Sequence, residues 1–168
     1  PRSTRCGTLF PYTTLFRSLE QATAGRVLDA SLGNGYCLAE SLAIAYADAH
    51  PEVGWNDLSS AFSAADWRGS FDPHTGYVGE KGAFTRALSE ALGVSGVATE
   101  RRYESEQALQ RAVSEMIEGT EGFPSYRVIA DYGGHFTHVR PDGLEINTYP
   151  GWSPGEREPE GWRLLTWE

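Results

Sequence analysis

Apolar residues recur at helical spacing in four stretches of the chain. From Cys37, Leu38, Leu42 and Tyr46 follow one another at four-residue steps with Ala39, Ala43 and Ala45 between them, which predicts a helix to about Ala49, ended by the approach of Pro51. Asn56 or Asp57 caps a short second helix that includes Leu58, Ala61 and Phe62. Phe84, Ala87, Leu88, Ala91 and Leu92 define a third, which Gly93 stops. Ser105 caps a fourth with Leu109, Ala112, Val113, Met116 and Ile117 on one face, ending at Gly119. These stripes are read as core-facing surfaces. The segment from Val94 to Tyr103 contains a strand, and after it the branched and aromatic run Tyr126 to Tyr132 predicts another. Gly133-Gly134 breaks that run, His135 to Arg140 resumes it, Pro141-Asp142-Gly143 turns, and Leu144 to Asn147 returns. The chain therefore divides into a helical first part and a strand-rich last part.

The remaining stretches are less patterned. Residues 25–32 are short and ambiguous, and Glu121 to Pro124 is a connector. Residues 66–82, with Trp67, Phe71, Pro73, His74 and Tyr77, read as a long loop of the kind that borders a substrate cleft. The tail from Pro150 carries three prolines (Pro150, Pro154, Pro159) and three tryptophans, and is expected to pack irregularly over the sheet.

Residues 1–18 are set apart from this scheme. Thr8-Leu9-Phe10-Pro11-Tyr12-Thr13-Thr14-Leu15-Phe16-Arg17-Ser18 looks like one reading frame of a short-read sequencing adapter. Pro1-Arg2-Ser3-Thr4 resembles the upstream portion, and Arg5-Cys6-Gly7 fills the index between them. The segment is read as non-native, with residues 19–168 forming one domain and the native N-terminus left open. That leaves the compartment open as well, between a bacterial cytoplasm and a secreted effector.

Charge narrows the partners. The 168 residues hold 14 basic and 23 acidic side chains. Without Arg2, Arg5 and Arg17 the balance is 11 against 23, with Lys81 the single lysine. So acidic a chain is not expected to hold a nucleic-acid backbone or an anionic membrane surface. No run of 18 apolar residues occurs. With Cys6 set aside, Cys37 is the one cysteine, which excludes an internal disulfide framework and a multi-cysteine zinc site.

Candidate chemistry begins at that cysteine. A cysteine at a helix start faces unpaired backbone N–H groups and the positive end of the helix dipole, both of which favour a thiolate nucleophile. The competing reading is a small, inert, buried residue. His135 opens a strand after two glycines, and Asn147 lies on the strand paired with it, 12 residues on across a three-residue turn. That spacing brings the two side chains together at one end of the ribbon, where an amide fixes the tautomer and orientation of an imidazole base. Alternation puts His135 and His138 on opposite faces, so one of them points at the cleft, and His135 is preferred. His50 and His74 receive no role.

This order, cysteine on the first long helix, Gly-His-aromatic on a late strand and Asn on the next, resembles the papain-like cysteine peptidase superfamily. His135-Phe136 with Val139, Asp142-Gly143 and Ile146-Asn147-Thr148-Tyr149-Pro150-Gly151 resembles the peptidases that remove bacteriocin leaders. Asn34-Gly35-Tyr36-Cys37-Leu38-Ala39-Glu40-Ser41-Leu42 with His135-Phe136-Thr137-His138-Val139 resembles the OTU deubiquitinases. Ser31 stands where papain-type enzymes carry an oxyanion glutamine, and Asn34 where OTU enzymes usually have aspartate. The resemblance implies an α+β fold, with N-terminal helices on one side, a C-terminal antiparallel sheet on the other and the cleft between. It implies that Cys37 attacks a peptide or isopeptide carbonyl, His135 moves the proton, Asn147 orients the ring, and the Cys37 N–H with an amide from Asn34 or Gly35 faces the oxyanion. No metal or organic cofactor is called for, and the partner is a peptide or protein substrate. Papain-fold transferases, deamidases of the polymorphic-toxin kind and non-catalytic binding modules are the alternatives. On the catalytic reading the Cys37 sulfur lies about 3 to 4 Å from an imidazole nitrogen of His135, and its pKa falls to roughly 3.5 to 7.5.

If residues 1–18 are foreign, deleting them leaves the melting temperature unchanged. A drop of several degrees on thermal unfolding would show that Leu9, Phe10, Leu15 and Phe16 belong to the core.

Overall fold

The computed structural model describes residues 27–29, 36–64, 71–72, 76–77, 83–95, 98–119, 125–141 and 144–167. Four helices are described: α1 (Cys37–Ala49), α2 (Trp55–Ala64), α3 (Ala83–Leu92) and α4 (Glu106–Glu118). The strands are β1 (Val27–Asp29), β2 (Phe71–Asp72), β3 (Gly76–Tyr77), β4 (Thr99–Tyr103), β5 (Tyr126–Asp131), β6 (Phe136–Val139), β7 (Glu145–Asn147) and β8 (Gly161–Thr166). Six of them form one sheet in the order β1-β7-β6-β5-β8-β4, antiparallel except where β1 runs parallel to β7. The class is α+β. The adapter-like residues 1–18 lie outside the described residues, as do Ser31, Asn34, Gly35 and His74.

The sheet is covered on both faces, because its strands alternate. Ile129 of β5 and Leu165 of β8 join the core built by α1, α2 and α3. Val128, Ala130, Trp162 and Leu164 point the other way and meet Leu109, Val113 and Ile117 of α4. The expectation of helices on one side is thus corrected. α1 to α3 cover one face, and α4 covers the other.

Helix α1 is central. Leu38, Ala39, Leu42, Ala43, Ile44, Ala45 and Tyr46 are all buried, with the polar Glu40 and Ser41 among them, so the helix is buried around its circumference and not along one stripe. The sheet packs on one side of it through β5 and β6, while α2 and α3 pack on it as well. The alanines allow this close approach by presenting a single methyl group.

Local signals explain most helix ends. α2 starts at Trp55, earlier than expected. Asp57 is no N-cap but sits in the first turn, its carboxylate accepting from the Gly54 N–H at 3.4 Å. α3 ends as expected at Gly93, where φ is +66°, and the Val94 N–H reaches back to Ser89 O at 3.1 Å. Its buried face differs from the expected stripe. Thr85, Leu88 and Ser89 are buried, Ala91 is exposed, and Ser89 Oγ donates to Thr85 O at 2.8 Å. Ser105 caps α4, accepting from the Ala108 N–H at 3.2 Å.

Two segments expected to be irregular contain strands. Within residues 66–82, β2 and β3 form a two-residue antiparallel pair. The tail is not irregular throughout: β8 pairs with both β5 and β4 inside the sheet. Trp162-Arg163-Leu164-Leu165 lacks strand alternation because both faces of β8 are buried. Buried Arg163 is accommodated by an ion pair with Glu100 and by the Phe136 ring, 5.4 Å from its guanidinium carbon.

Leu165 is fully buried between β8 and the α1 side of the core. Leu165→Ala is expected to lower the unfolding free energy by about 2–5 kcal/mol in urea titration. A loss below about 1 kcal/mol would mean that β8 is peripheral.

Candidate active site

Cys37 opens α1 and is 9% exposed. Its helix is held against β6 at the first turn, where Ser41 Oγ donates to Phe136 O at 3.1 Å. That bond sets the sulfur beside the start of β6. The thiol donates to the Gly134 carbonyl at 3.8 Å, one residue before His135. Among the described residues no hydrogen bond joins the sulfur to the His135 ring, so the expected direct thiol–imidazole contact is replaced by one to the adjoining backbone. A neutral thiol is a donor, and the Gly134 carbonyl accepts from it.

The turn that presents His135 is built by Tyr132, Gly133 and Gly134. Gly133 and Gly134 have φ of +74° and +103°, a region L side chains rarely enter. Asp131 Oδ1 accepts from both of their N–H groups, at 2.9 and 3.4 Å. A Cβ on Gly133 would also lie 2.7 Å from a carboxylate oxygen of Glu160. The Tyr132 N–H closes the turn on His135 O at 2.8 Å.

The hairpin register places Asn147 opposite Thr137, and hence on the same face as His135 two residues earlier. His135 Nε2 and Asn147 Oδ1 are 2.7 Å apart. Oδ1 also accepts from the Tyr149 N–H at 3.1 Å, and Nδ2 donates to Tyr149 O at 2.6 Å and Trp152 O at 3.2 Å. These contacts fix the amide with its oxygen toward the ring. Nε2 must then carry the proton, and in the neutral imidazole Nδ1 keeps a lone pair.

Aromatic side chains flank the His135 ring. The Trp152 ring lies 3.9 Å from the His135 ring, centroid to centroid, at an angle of 37°. Tyr149, 55% exposed, presents itself nearly edge-on at 6.3 Å. The Arg157 guanidinium stands 5.6 Å from the Trp152 ring. Trp152, Arg157 and Ser41 were not legible as site residues: two lie in an unpatterned tail, and the third sits inside an unbroken helical run.

The electrostatics differ from the expected ion pair. Burial pushes the Cys37 thiol above its ordinary value, and the Glu40 charge one turn away adds to this; N–H groups of Phe136, Leu38 and Cys37 itself pull the other way without overcoming it. Burial also pushes His135 down, helped by the Arg157 charge and opposed by the Asn147 bond. The resting pair is a neutral thiol beside a neutral imidazole.

His138 belongs elsewhere. It is fully buried, with Nδ1 3.3 Å from Val128 O and Nε2 3.3 Å from Asp48 Oδ2. Both partners are acceptors, so both contacts are hydrogen bonds only in the imidazolium. Burial favours the neutral ring, which leaves one contact without a proton. Asp48 is 11 residues beyond Cys37 on α1, about 16 Å along a helix. Burial alone would raise the Asp48 carboxyl, but His138 and Arg127 hold it down at about 2. Arg127 Nε donates to its Oδ2 at 2.6 Å. His50 contacts Glu52 at 3.3 Å and receives no role.

Asn34 and Gly35, the expected oxyanion partners, lie outside the described residues. Among the described residues no three His, Cys, Asp or Glu side chains cluster as a metal would require, and no helix is long and apolar enough to cross a membrane. A groove of about 640 Å³ between α4 and β4, and a smaller one of about 250 Å³ beside Asp48, both lie away from Cys37. Compared with protein-family models, with curated proteins and with solved structures, the chain matches none.

Beneath the His135–Asn147 pair, Glu145 is buried on the same face of β7 and accepts from Thr137 Oγ1 and the Tyr132 hydroxyl. Burial raises its pKa above the ordinary 4.5, more than those bonds lower it. A raised carboxyl favours the fold fully below pH 4.5, and that contribution is lost as pH climbs through the raised value. Measured against Glu145→Gln by urea unfolding, the wild type should lose relative stability over that climb. A pH-independent difference would contradict a raised Glu145 carboxyl.

Proposed function

We propose that the chain is a cysteine-dependent hydrolase of peptide or isopeptide bonds with a papain-like arrangement of Cys37, His135 and Asn147. The observation that carries this reading is the 2.7 Å bond from His135 Nε2–H to Asn147 Oδ1, which leaves Nδ1 as the basic nitrogen on the residue next to the thiol's own acceptor. An imidazole with a fixed tautomer, an amide locked by three further bonds, and a thiol at a helix N-terminus form a nucleophile, a base and an orienter.

With the resting pair neutral, the proton moves as the bond forms. The Cys37 sulfur leaves the Gly134 carbonyl and attacks the substrate carbonyl carbon, while its proton passes to His135 Nδ1. The oxyanion develops near the N-terminus of α1, where the first N–H groups are unpaired within the helix. Collapse expels the amine, which takes the proton from Nδ1 and leaves a thioester on Cys37. Water then attacks the thioester, gives a proton to Nδ1, and releases the acid as the sulfur regains that proton. Asn147 keeps Nε2–H occupied throughout. Trp152 shields its bond to the ring from water, which strengthens it.

p-Nitrophenyl acetate tests this without knowledge of the natural substrate. The wild type is expected to release nitrophenolate with an acetyl group on Cys37, located by peptide mapping because Cys6 is also a thiol. Cys37→Ala should abolish the acylation, His135→Ala should slow it by about 10²–10⁴-fold, and Asn147→Ala should do less, since nucleophile and base remain. Because the thiol is raised, iodoacetamide labelling of wild-type Cys37 should be slow at neutral pH and climb above it. Variants that melt like the wild type yet acylate at its rate would exclude the triad.

A further inference from the structure

The groove of about 640 Å³ lies on the far face of the sheet from α1. Its floor is Leu164 with Tyr103 and Met116, and its rim carries Arg101 of β4 with Arg111 and Glu115 of α4. Arg101 stands opposite Leu164, and Tyr103 opposite Trp162, so both point to the α4 side. β4 is the last strand of the sheet and pairs with β8 alone among the described strands. The groove is thus lined in part by side chains of an edge strand, Arg101 and Tyr103 of β4.

The charge on this rim is unusual for the molecule. The chain carries a net charge of −9. Arg127 and Arg140 meet Asp48, Arg163 meets Glu100, and Arg102 meets Asp131. Arg101 and Arg111 are exposed and have no carboxylate within ion-pair reach among the described residues, yet both face one groove. A single carboxylate, Glu115, stands against the two guanidiniums.

We propose that this groove docks an acidic, extended peptide segment of a partner protein, added as a strand along the edge of β4 that no described strand pairs with. A strand seated there takes main-chain hydrogen bonds from β4 and turns alternate side chains under α4, where guanidiniums select carboxylates and the Tyr103–Met116 floor takes apolar groups. The inference stands independently of the chemistry at Cys37. The competing role for charged residues on an edge strand is to prevent strand addition, and it predicts the opposite result.

Fluorescence anisotropy with two labelled octapeptides, one alternating Glu and Val and one alternating Lys and Val, tests the proposal on the full chain. The Glu peptide should bind saturably, at least tenfold tighter than the Lys peptide, and weaken with added salt. Arg101→Glu with Arg111→Glu, both exposed positions and checked by thermal melting, should reverse the preference. A Glu peptide N-methylated at alternate residues on one edge should lose binding. Absent or equal binding of the two peptides, or indifference to the double reversal, would overturn the proposal. A concentration-dependent dimer that the double reversal dissociates would assign the groove to a second copy and overturn it as well.

Discussion

Burial of α1 around its whole circumference is the constraint on which the other parts depend. A helix with Leu38, Ala39, Leu42, Ala43, Ile44, Ala45 and Tyr46 all out of water must be enclosed, so the sheet and α2–α3 close over it from different sides. Two polar contacts then fix its position along the sheet. At its start Ser41 bonds to Phe136 O; at its end Asp48 takes Arg127 and His138. A slide of one residue, 1.5 Å along the helix axis, would break both. The sulfur of Cys37 inherits this precision without belonging to either contact.

Burial governs the electrostatics on both faces of the sheet. A helix N-terminus favours a thiolate, yet a sulfur 9% exposed with Glu40 one turn below is held as the thiol. Desolvation outweighs the dipole here because the dipole acts through a few N–H groups, whereas burial removes the solvent shell. His135 is depressed for the same reason. On the proposed hydrolase reading, this pair needs proton transfer during attack and not before it. Glu145, on the same face of β7 as Asn147, is buried on the α4 side of the sheet, and that burial raises its carboxyl.

Polar side chains divide into two kinds in this protein. Asp48 with Arg127, and Arg163 with Glu100, are ion pairs that lock elements together, the His138 ring also meeting Asp48, and such pairs are destabilising to break. His135 and Asn147 lock each other, but at the turn between β5 and β6 and beside an exposed Tyr149, where an outside molecule has access. His138, three residues from His135, falls in the first kind because strand alternation turns it to the α1 face.

Helix periodicity, the caps at Ser105 and Gly93, and the antiparallel pairing of β6 with β7 were legible in the sequence because they depend on neighbours within a few residues. The approach of His135 to Asn147 was legible for that reason too: both lie in one hairpin, and pairing with period two settles their side. The chain alone did not disclose β8, the placement of α4 on the opposite face, or the burial of α1 all round. Each depends on partners distant in sequence, and a strand buried on both faces carries no alternation to betray it. The pKa of Cys37 was misread from its helix position, since a local dipole is visible in sequence whereas solvent exclusion is not. What brought the sulfur to the turn before His135 was tertiary: one hydroxyl, Ser41, finding one carbonyl 95 residues away.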